Sequence, residues 1–312
     1  MKTFKNIFDF QATFSTEEKC REYLEAQRWG TTPACPCCGS TNVVRFATNN
    51  RIFKCREKQC RKKFSVTVGT IYENTKIPLT KWFLATYILA VHSKGISSLQ
   101  LASWLGVTQK TAWHLNHRIR EMLTVTAPEL LEGIVEIDET YCGGSESNKH
   151  ASKRTVRGGA GNKAMVLGAV PRGGEVRTKV IAKTDSNNVI PTIKGLVAPD
   201  TIMVTDENHA YNKLHLDYTH KTVNHREKEY VRNEDIKVHT NSIEGFWNIL
   251  KKQINGIHHS VSQKHLQRYC NESAFRYNRR KTFQDERFAD ALANCEGNLK
   301  YEKLTGKPKK KK

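Results

Sequence analysis

The sequence predicts an α+β chain built in series: a cysteine-rich module, a helical bundle, then a β-rich region closed by helices. Three observations carry this. Five cysteines crowd between Cys35 and Cys60. Three segments with helical spacing fill residues 78–124. From 133 to 210, apolar β-rich runs alternate with turns, and 240–280 returns to helical spacing. We set the boundaries at 1–72 for a lead-in helix and the cysteine module, 73–127 for the helical region, 128–297 for the β-rich domain, and 298–312 for a basic tail expected to be disordered.

The 312 residues leave room for two or three domains of roughly 100–200 residues. The formal net charge is +20; five of those charges lie in Lys307–Lys312, so the body alone carries +15. Such an excess suits a polyanionic partner, without choosing among DNA, RNA and an anionic surface. The most apolar stretch, Trp82–Val91, is ten residues, against the ~18 that a membrane helix needs. The opening MKTFKNIFDFQATFS has no long apolar run, so no signal peptide is expected. Membrane-spanning and secreted classes are thereby disfavoured.

The first element is a helix over Glu17–Trp29. The cysteines follow. Cys35 and Cys38 have the C-x-x-C spacing of a metal knuckle, and Gly39 lets the chain fold back. Cys55 and Cys60 make a second, slightly wider knuckle; Cys37 is an alternative to either of the first pair. Val43–Phe46 and Arg51–Lys54 read as two short strands between them. Four thiolates and two strands make a zinc ribbon, holding a structural Zn²⁺ with no open coordination position. Nine cysteines in all, an odd number with one tight cluster, favour ligation over disulfides. Arg51 and Lys54, among other basic residues here, suit phosphate contacts.

In the helical region, Pro78 opens a helix through His92, Ser97 or Ser98 caps a second to Leu105, and Thr108 caps a third, Gln109 to Leu123. Gly106 sits in the turn before the third. Ala112, Leu115, Ile119 and Met122 face inward. Lys110, His114, His117 and Arg118 fall on the other face, which gives a helix-turn-helix with a basic reading helix.

In the β-rich domain, Gly133–Thr140 runs from apolar into acidic residues. Period two sets Asp138 opposite Ile137 and on the side of Glu136; Glu139 is its competitor. Met165–Val170 and Val176–Ala182 are the next strands, Asn187–Leu196 a helix, and Thr201–Thr205 a strand ending at Asp206. A helix follows with Asn241, Glu244 and, two turns beyond, Lys251. Two strand-end aspartates and a helical glutamate are what a two-metal phosphoryl-transfer site needs, because hard cations take carboxylate oxygens. Glu244 also fits the third position of a capping box begun by Asn241. Lys251 is placed to reach a phosphate.

Taken together, these strings resemble the DDE-type insertion-sequence transposases of the ISXO-like zinc-ribbon group. The matching pieces are the Cys35–Cys60 ribbon with Phe64 and Gly69-Thr70-Ile71, the helix-turn-helix, Glu136-Ile-Asp138-Glu139-Thr-Tyr141 with Gly143-Gly144, Thr205-Asp206 with His209-Ala-Tyr211, His239-Thr-Asn-Ser-Ile-Glu244-Gly-Phe-Trp247 with Lys251, and Arg276-Tyr277-Asn278-Arg279. The resemblance implies an RNase H-like mixed-sheet core over 128–297, in which Asp138, Asp206 and Glu244 hold two Mg²⁺ (or Mn²⁺). It implies binding to the terminal inverted repeats of an element, attack by water there, then attack of the freed 3′-hydroxyl on target DNA. Asn241 stays open as a neighbouring or substitute ligand, and His239 as a supporting or DNA-contacting residue. A homodimer or larger assembly on DNA in a prokaryotic cytoplasm, near the nucleoid, is expected by analogy. The alternative is a catalytically inactive DNA-binding regulator derived from such an enzyme. A junction or RNase H-type nuclease would leave the first 124 residues unexplained.

Overall fold

The computed structural model describes residues 3–124, 129–143, 150, 152, 163–224, 227, 231–233 and 237–306. The chain forms two compact units: 1–124 with 281–312, and 125–280.

The first unit begins with two helices, α1 (Ile7–Thr13) and α2 (Glu17–Trp29), each started by a side-chain cap, Asn6 and Thr16. The ribbon follows as a three-stranded antiparallel sheet of β1 (Val43–Arg45), β2 (Phe53–Cys55) and β3 (Lys63–Phe64). Its small core is Phe53 and Phe64, stacked at 5.6 Å, with Trp29 edge-on to both. Next come α3 (Leu79–Val91), α4 (Ser98–Leu105) and α5 (Gln109–Met122). The expected caps are in place. Ser97 Oγ accepts from Gln100 N–H, Thr108 Oγ1 accepts from Thr111 N–H, and Gly106 takes the left-handed turn (φ 59°) that a side chain resists.

The second unit is a five-stranded mixed sheet. Its strands are β4 (Ile134–Cys142), β5 (Ala164–Pro171), β6 (Arg177–Ile181), β7 (Ile202–Thr205) and β8 (Thr219–Thr222), in the order β6-β5-β4-β7-β8. β4 is antiparallel to β5 and parallel to β7, which is parallel to β8. This is the RNase H-like mixed sheet. β8 reads Thr-His-Lys-Thr, too short and polar to be seen as a strand from sequence. The helix α6 (Ser186–Lys194), capped by Asp185, connects β6 to β7. Its residues Val189 and Ile193 pack with Val135, Ile137 and Met203 on one face of the sheet. A two-residue hairpin, β9 (Arg232–Asn233) with β10 (Lys237–Val238), precedes α7 (Asn241–Gln253) and α8 (Gln263–Asn278). These two helices cover the opposite face, with Ile243, Phe246, Trp247, Leu250, Leu266 and Cys270 over Val166 and Val170.

Past residue 280 the chain returns to the first unit as α9 (Gln284–Ala293) and α10 (Tyr301–Thr305). This corrects two expectations. Residues 281–297 were assigned to the β-rich domain, yet Phe288 on α9 is buried among Phe4, Phe10, Phe14, Tyr23 and Phe83. Residues 298–306 were expected to be disordered, yet Leu299 and Leu304 are buried and a short helix forms. Residues 307–312 lie outside the described residues.

Candidate active site

β4 runs through the middle of the sheet, and its alternation sorts the acids. Glu136 and Asp138 point to the α7–α8 side, and Glu139 joins Val135 and Ile137 on the α6 side. Asp138 Oδ2 accepts a 2.9 Å hydrogen bond from the indole Nε1 of Trp247. Room for that indole comes from Gly168, the residue paired with Asp138 across β4–β5. The register of β4 with β7 pairs Glu136 with Val204, so continuing it past Thr205 sets Asp206 level with Asp138. Burial, then the nearby charges of Glu139 and Asp206, push the Asp138 carboxyl up to about 7. Burial also raises Glu139, which takes hydrogen bonds from the Tyr211 hydroxyl and the Asn208 amide. Asp206 Oδ1 accepts from Asn208 N–H at 3.0 Å. Both acids thus have protein donors, Glu139 on the α6 side and Asp138 on the side of the helix that carries Glu244, and the charge of Asp206 acts on both.

Glu244 is exposed in the first turn of α7. The cap there is Thr240, not Asn241: Thr240 Oγ1 donates to Glu244 Oε1 at 2.8 Å, and Asn241 is the exposed first residue of the helix. Trp247 lies one turn beyond Glu244, so the same flank of α7 meets Asp138. Lys251, a further turn on, is exposed, and its charge acts on Cys142 at the end of β4; burial drives that thiol up to about 11 and Lys251 opposes it. Asp138 and Asp206 are therefore brought together, with Glu244, Asn241 and Lys251 along the helix that β4 anchors. Among the described residues, the group of three or more ligand atoms gathered within 4.8 Å is the cysteine quartet, not these carboxylates.

Glu136 has a role the sequence did not show. It is fully buried, and its oxygens accept from Ser242 N–H (2.8 Å), Ser242 Oγ (2.9 Å) and Ile243 N–H (3.2 Å). These N–H groups belong to the first turn of α7, which has no intrahelical acceptor for them and carries the positive end of the helix dipole. His239 Nδ1 lies 3.2 Å and Arg172 Nε 3.7 Å from the same carboxylate. His239 is thus placed against Glu136. The signal in the sequence was the shared face of Glu136 and Asp138; the partner, about a hundred residues away, was not readable. Asn278, in the last matching string, pins the start of β6 through both hydrogen bonds of Val176.

The four thiols of Cys35, Cys38, Cys55 and Cys60 lie within 4.8 Å of one another. The Cys35–Cys60 and Cys38–Cys55 sulfurs are 3.8 and 3.6 Å apart. A tetrahedron with Zn–S bonds of ~2.3 Å has edges of about 3.8 Å, so these two edges match zinc ligation and all four thiols are close enough to share one ion. Cys37 is outside it, exposed, with Lys62 Nζ at 3.0 Å from its sulfur.

The basic face of α5 needs correction. His117 is fully buried, edge-on to Trp113. Arg118 is buried over the Trp82 ring and donates to the Glu73 carbonyl. Neither lies on the exposed face of α5. His114 is half-buried against Leu299 and Tyr301. Lys110 stays exposed, as does Arg51 on the ribbon; Lys54 is partly covered.

A mixed sheet of this order with acids on its central strand, in a chain that also has a zinc ribbon and a helix-turn-helix, is the build of an RNase H-like transposase. Residues 130–278 match the ISXO2-like transposase domain, and residues 15–63 match the transposase zinc-ribbon domain. These two matches assign residues 15–63 and 130–278 to the zinc-ribbon group of insertion-sequence transposases. It is 29% identical over 269 residues to an uncharacterized protein in the transposable element ISH50 of Halobacterium salinarum, covering 82% of this chain and 89% of that protein. It is 28% identical over 105 residues to an uncharacterized transposase-like protein of Haemophilus influenzae, covering 33% of this chain and 81% of that one. The crystal structure of a pre-cleavage Mos1 transpososome aligns at TM-score 0.22 and 12% identity, over 70% of this chain and 80% of that one. That likeness is too slight to weigh. Among the described residues, no helix is long and apolar enough to cross a membrane.

Proposed function

We propose that the chain is an active transposase that binds the ends of its insertion sequence, cuts there, and joins the freed 3′ ends to target DNA. Asp138, Asp206 and Glu244 are the catalytic acids. The observation that carries this is the register that sets Asp206 level with Asp138 beside the helix carrying Glu244; burial first, then the charges of Glu139 and Asp206, lift the Asp138 carboxyl to about 7. A half-buried cluster of hard, like-charged oxygen donors is a poor design for stability and a good one for a divalent cation. Asp138, Asp206 and Glu244 would hold the Mg²⁺ or Mn²⁺ ions, two per site, that activate the attacking oxygen and neutralise charge building on the phosphorus. Trp247 fixes the Asp138 carboxylate through its N–H, and Glu136 fixes the start of α7 and with it Glu244. Lys251 and Asn241, exposed on that helix, contact the scissile strand. Lys110, Arg51 and Lys54 are proposed phosphate contacts, and His114 a contact at the edge of the α5 surface. The quartet of thiols holds structural zinc in the ribbon. Two DNA ends must be joined together, so we expect a dimer or larger assembly on DNA, at the nucleoid of a prokaryotic cytoplasm.

The test is transposition in cells. A selectable marker between the gene's native flanking sequences is placed on a donor plasmid, and jumps to a second replicon are counted. The wild type moves the marker. Asp206→Asn, nearly isosteric but short of a metal-binding charge, loses at least about a thousandfold in activity and still binds the flanking DNA. Equal jumping by both removes Asp206 from the site. Binding without jumping by either leaves the regulator reading.

A further inference from the structure

The sheet delivers Asp206 but does not hold it. Thr205 is the last residue of β7 in the ladder: it pairs with Thr222, and its carbonyl accepts from Val223 N–H. Asp206 is the first residue past that support. Two bonds shape the chain around it. Thr205 Oγ1, 2.8 Å from His220 Nε2, donates to the Asp206 carbonyl at 2.7 Å, and Asn208 N–H donates to Asp206 Oδ1 at 3.0 Å. The first holds the peptide. The second holds the carboxylate, but only to a turn two residues on, and if that turn shifts the carboxylate shifts with it.

One side chain ties that turn to β4. Glu139 Oε1 accepts from the Asn208 side-chain amide, and Glu139 Oε2 accepts from the Tyr211 hydroxyl. Asn208 and Tyr211 are the two ends of the short 3₁₀ turn His209–Tyr211, which Asn208 Oδ1 caps by accepting from Ala210 N–H at 3.0 Å. Ala210 and Tyr211 are buried with Val189 and Ile193 of α6, and Ser186 Oγ at the start of α6 donates to the Ala210 carbonyl at 3.2 Å. Asn208 is therefore a link of one residue: its side chain is on Glu139 and its backbone N–H is on Asp206. Charge-assisted bonds of this kind are the stronger class. Glu139 also follows Asp138 on the same strand, so the strand that carries one acid anchors the loop that carries the other. We infer that Glu139 is a positioning residue, which acts through Asn208 and Tyr211 to set the Asp206 carboxylate against Asp138, and is not itself a ligand of the ion. This rests on the reading above that Asp206 is a catalytic acid.

The experiment uses the full, zinc-loaded chain and reads two quantities. One is Mn²⁺ binding, from the loss of the free-ion electron paramagnetic resonance signal. The other is cleavage of a duplex of the DNA flanking the gene, as Mn²⁺ is raised. Asp206→Asn should lose most of the Mn²⁺ binding and at least about a thousandfold in cleavage at every Mn²⁺ concentration. Glu139→Gln and Asn208→Ala should each weaken Mn²⁺ binding, and raise the Mn²⁺ needed for half-maximal cleavage, by about 10–100-fold. Both should approach the wild-type rate once Mn²⁺ saturates, because every ligand is still present. Tyr211→Phe keeps the ring and should shift the same way by less. Glu139→Gln with Asn208→Ala should bind no more weakly than the weaker single variant, because both break one link. If Glu139→Gln fails to fold, Asn208→Ala, at a partly exposed residue, reads the link from its other end. Cleavage by Glu139→Gln that stays lost at saturating Mn²⁺, as for Asp206→Asn, would make Glu139 a ligand and overturn the proposal. So would wild-type Mn²⁺ binding by Glu139→Gln or Asn208→Ala, or losses that multiply in the double variant. A wild type that neither binds Mn²⁺ nor cuts, or an Asp206→Asn that does both, overturns the catalytic reading itself, and the positioning role falls with it.

Discussion

Gly168 shows how a residue without a side chain can matter to catalysis. A Cβ there would lie 2.6 Å from Cη2 and Cζ2 of Trp247 and 2.8 Å from Cδ1 of Ile243. The Trp247 indole would have to move, and it carries the N–H that holds Asp138. Gly168→Ala should therefore lower the thermal transition, at an overpacking cost of about 1–3 kcal/mol. Strand cleavage should fall further than stability does, and DNA affinity should be unchanged. Cleavage and anisotropy assays on the same preparation separate the three; a variant with normal cleavage would detach Trp247 from the site. His114 gives a pH prediction. Burial lowers its pKa below the ordinary 6.5, and the adjacent Arg118 charge adds to this against the Leu299 carbonyl. The folded chain then binds its proton less readily than the unfolded one, so its contribution is complete above about 6.5 and is lost as pH falls below that. Melting curves from pH 8 to about 5.5 should show a steeper acid loss for wild type than for His114→Asn.

At the scale of the element, α7 and the ribbon each depend on a contact that local pattern alone does not supply. α7 starts on a buried carboxylate contributed by another strand. Glu136→Ala leaves the N–H groups of Ser242 and Ile243 without that acceptor, at a cost of about 1–3 kcal/mol. Glu136→Gln keeps the shape and one acceptor and should lose less. Both should reduce cleavage while zinc content stays at one per chain, as atomic absorption would show. The ribbon has a core of two phenylalanines and one tryptophan, so its metal supplies much of its stability. Chelation, or Cys55→Ser, should unfold it and leave the sheet of the second unit intact, visible as loss of the ribbon's protection in hydrogen exchange. The knuckles, the caps of α4 and α5 and the alternation of β4 were legible because each is written in adjacent residues. In sequence Asp138 and Glu139 differ only by face; in the structure Asp138 accepts from Trp247, and Glu139 from Tyr211 and Asn208. His117 and Arg118 were misplaced because a helical wheel assumes one covered side. α5 packs against α3, α4 and α9 and also carries the 299–301 segment, so more than half of its circumference is covered.

At the scale of the whole chain, the second unit is an insertion in the first. Sequence reading follows the chain in order and cuts it into consecutive domains, so it had no means of returning α9 to the start. One ring sits at the centre of the return. Phe288 is fully buried and lies within 6.0 Å, centroid to centroid, of Phe4, Phe10, Phe14, Tyr23 and Phe83, all some two hundred residues earlier or more. Removing it from that cluster costs about 3–5 kcal/mol, a large part of what a small domain has to spare. Thr70 and Ile71 add a second tie, bridging Glu296 and the Cys295 carbonyl. Two fragments therefore behave differently. Residues 125–280 contain their own sheet, both flanking helical layers and both clusters, and should melt cooperatively when expressed alone. Residues 1–124 should not, despite holding the ribbon and the whole helix-turn-helix, until 281–306 is co-expressed. If 1–124 alone gives a sharp transition and dispersed amide spectra, α9 is an accessory to the first unit, and a consecutive domain boundary near 125 would then be the correct one.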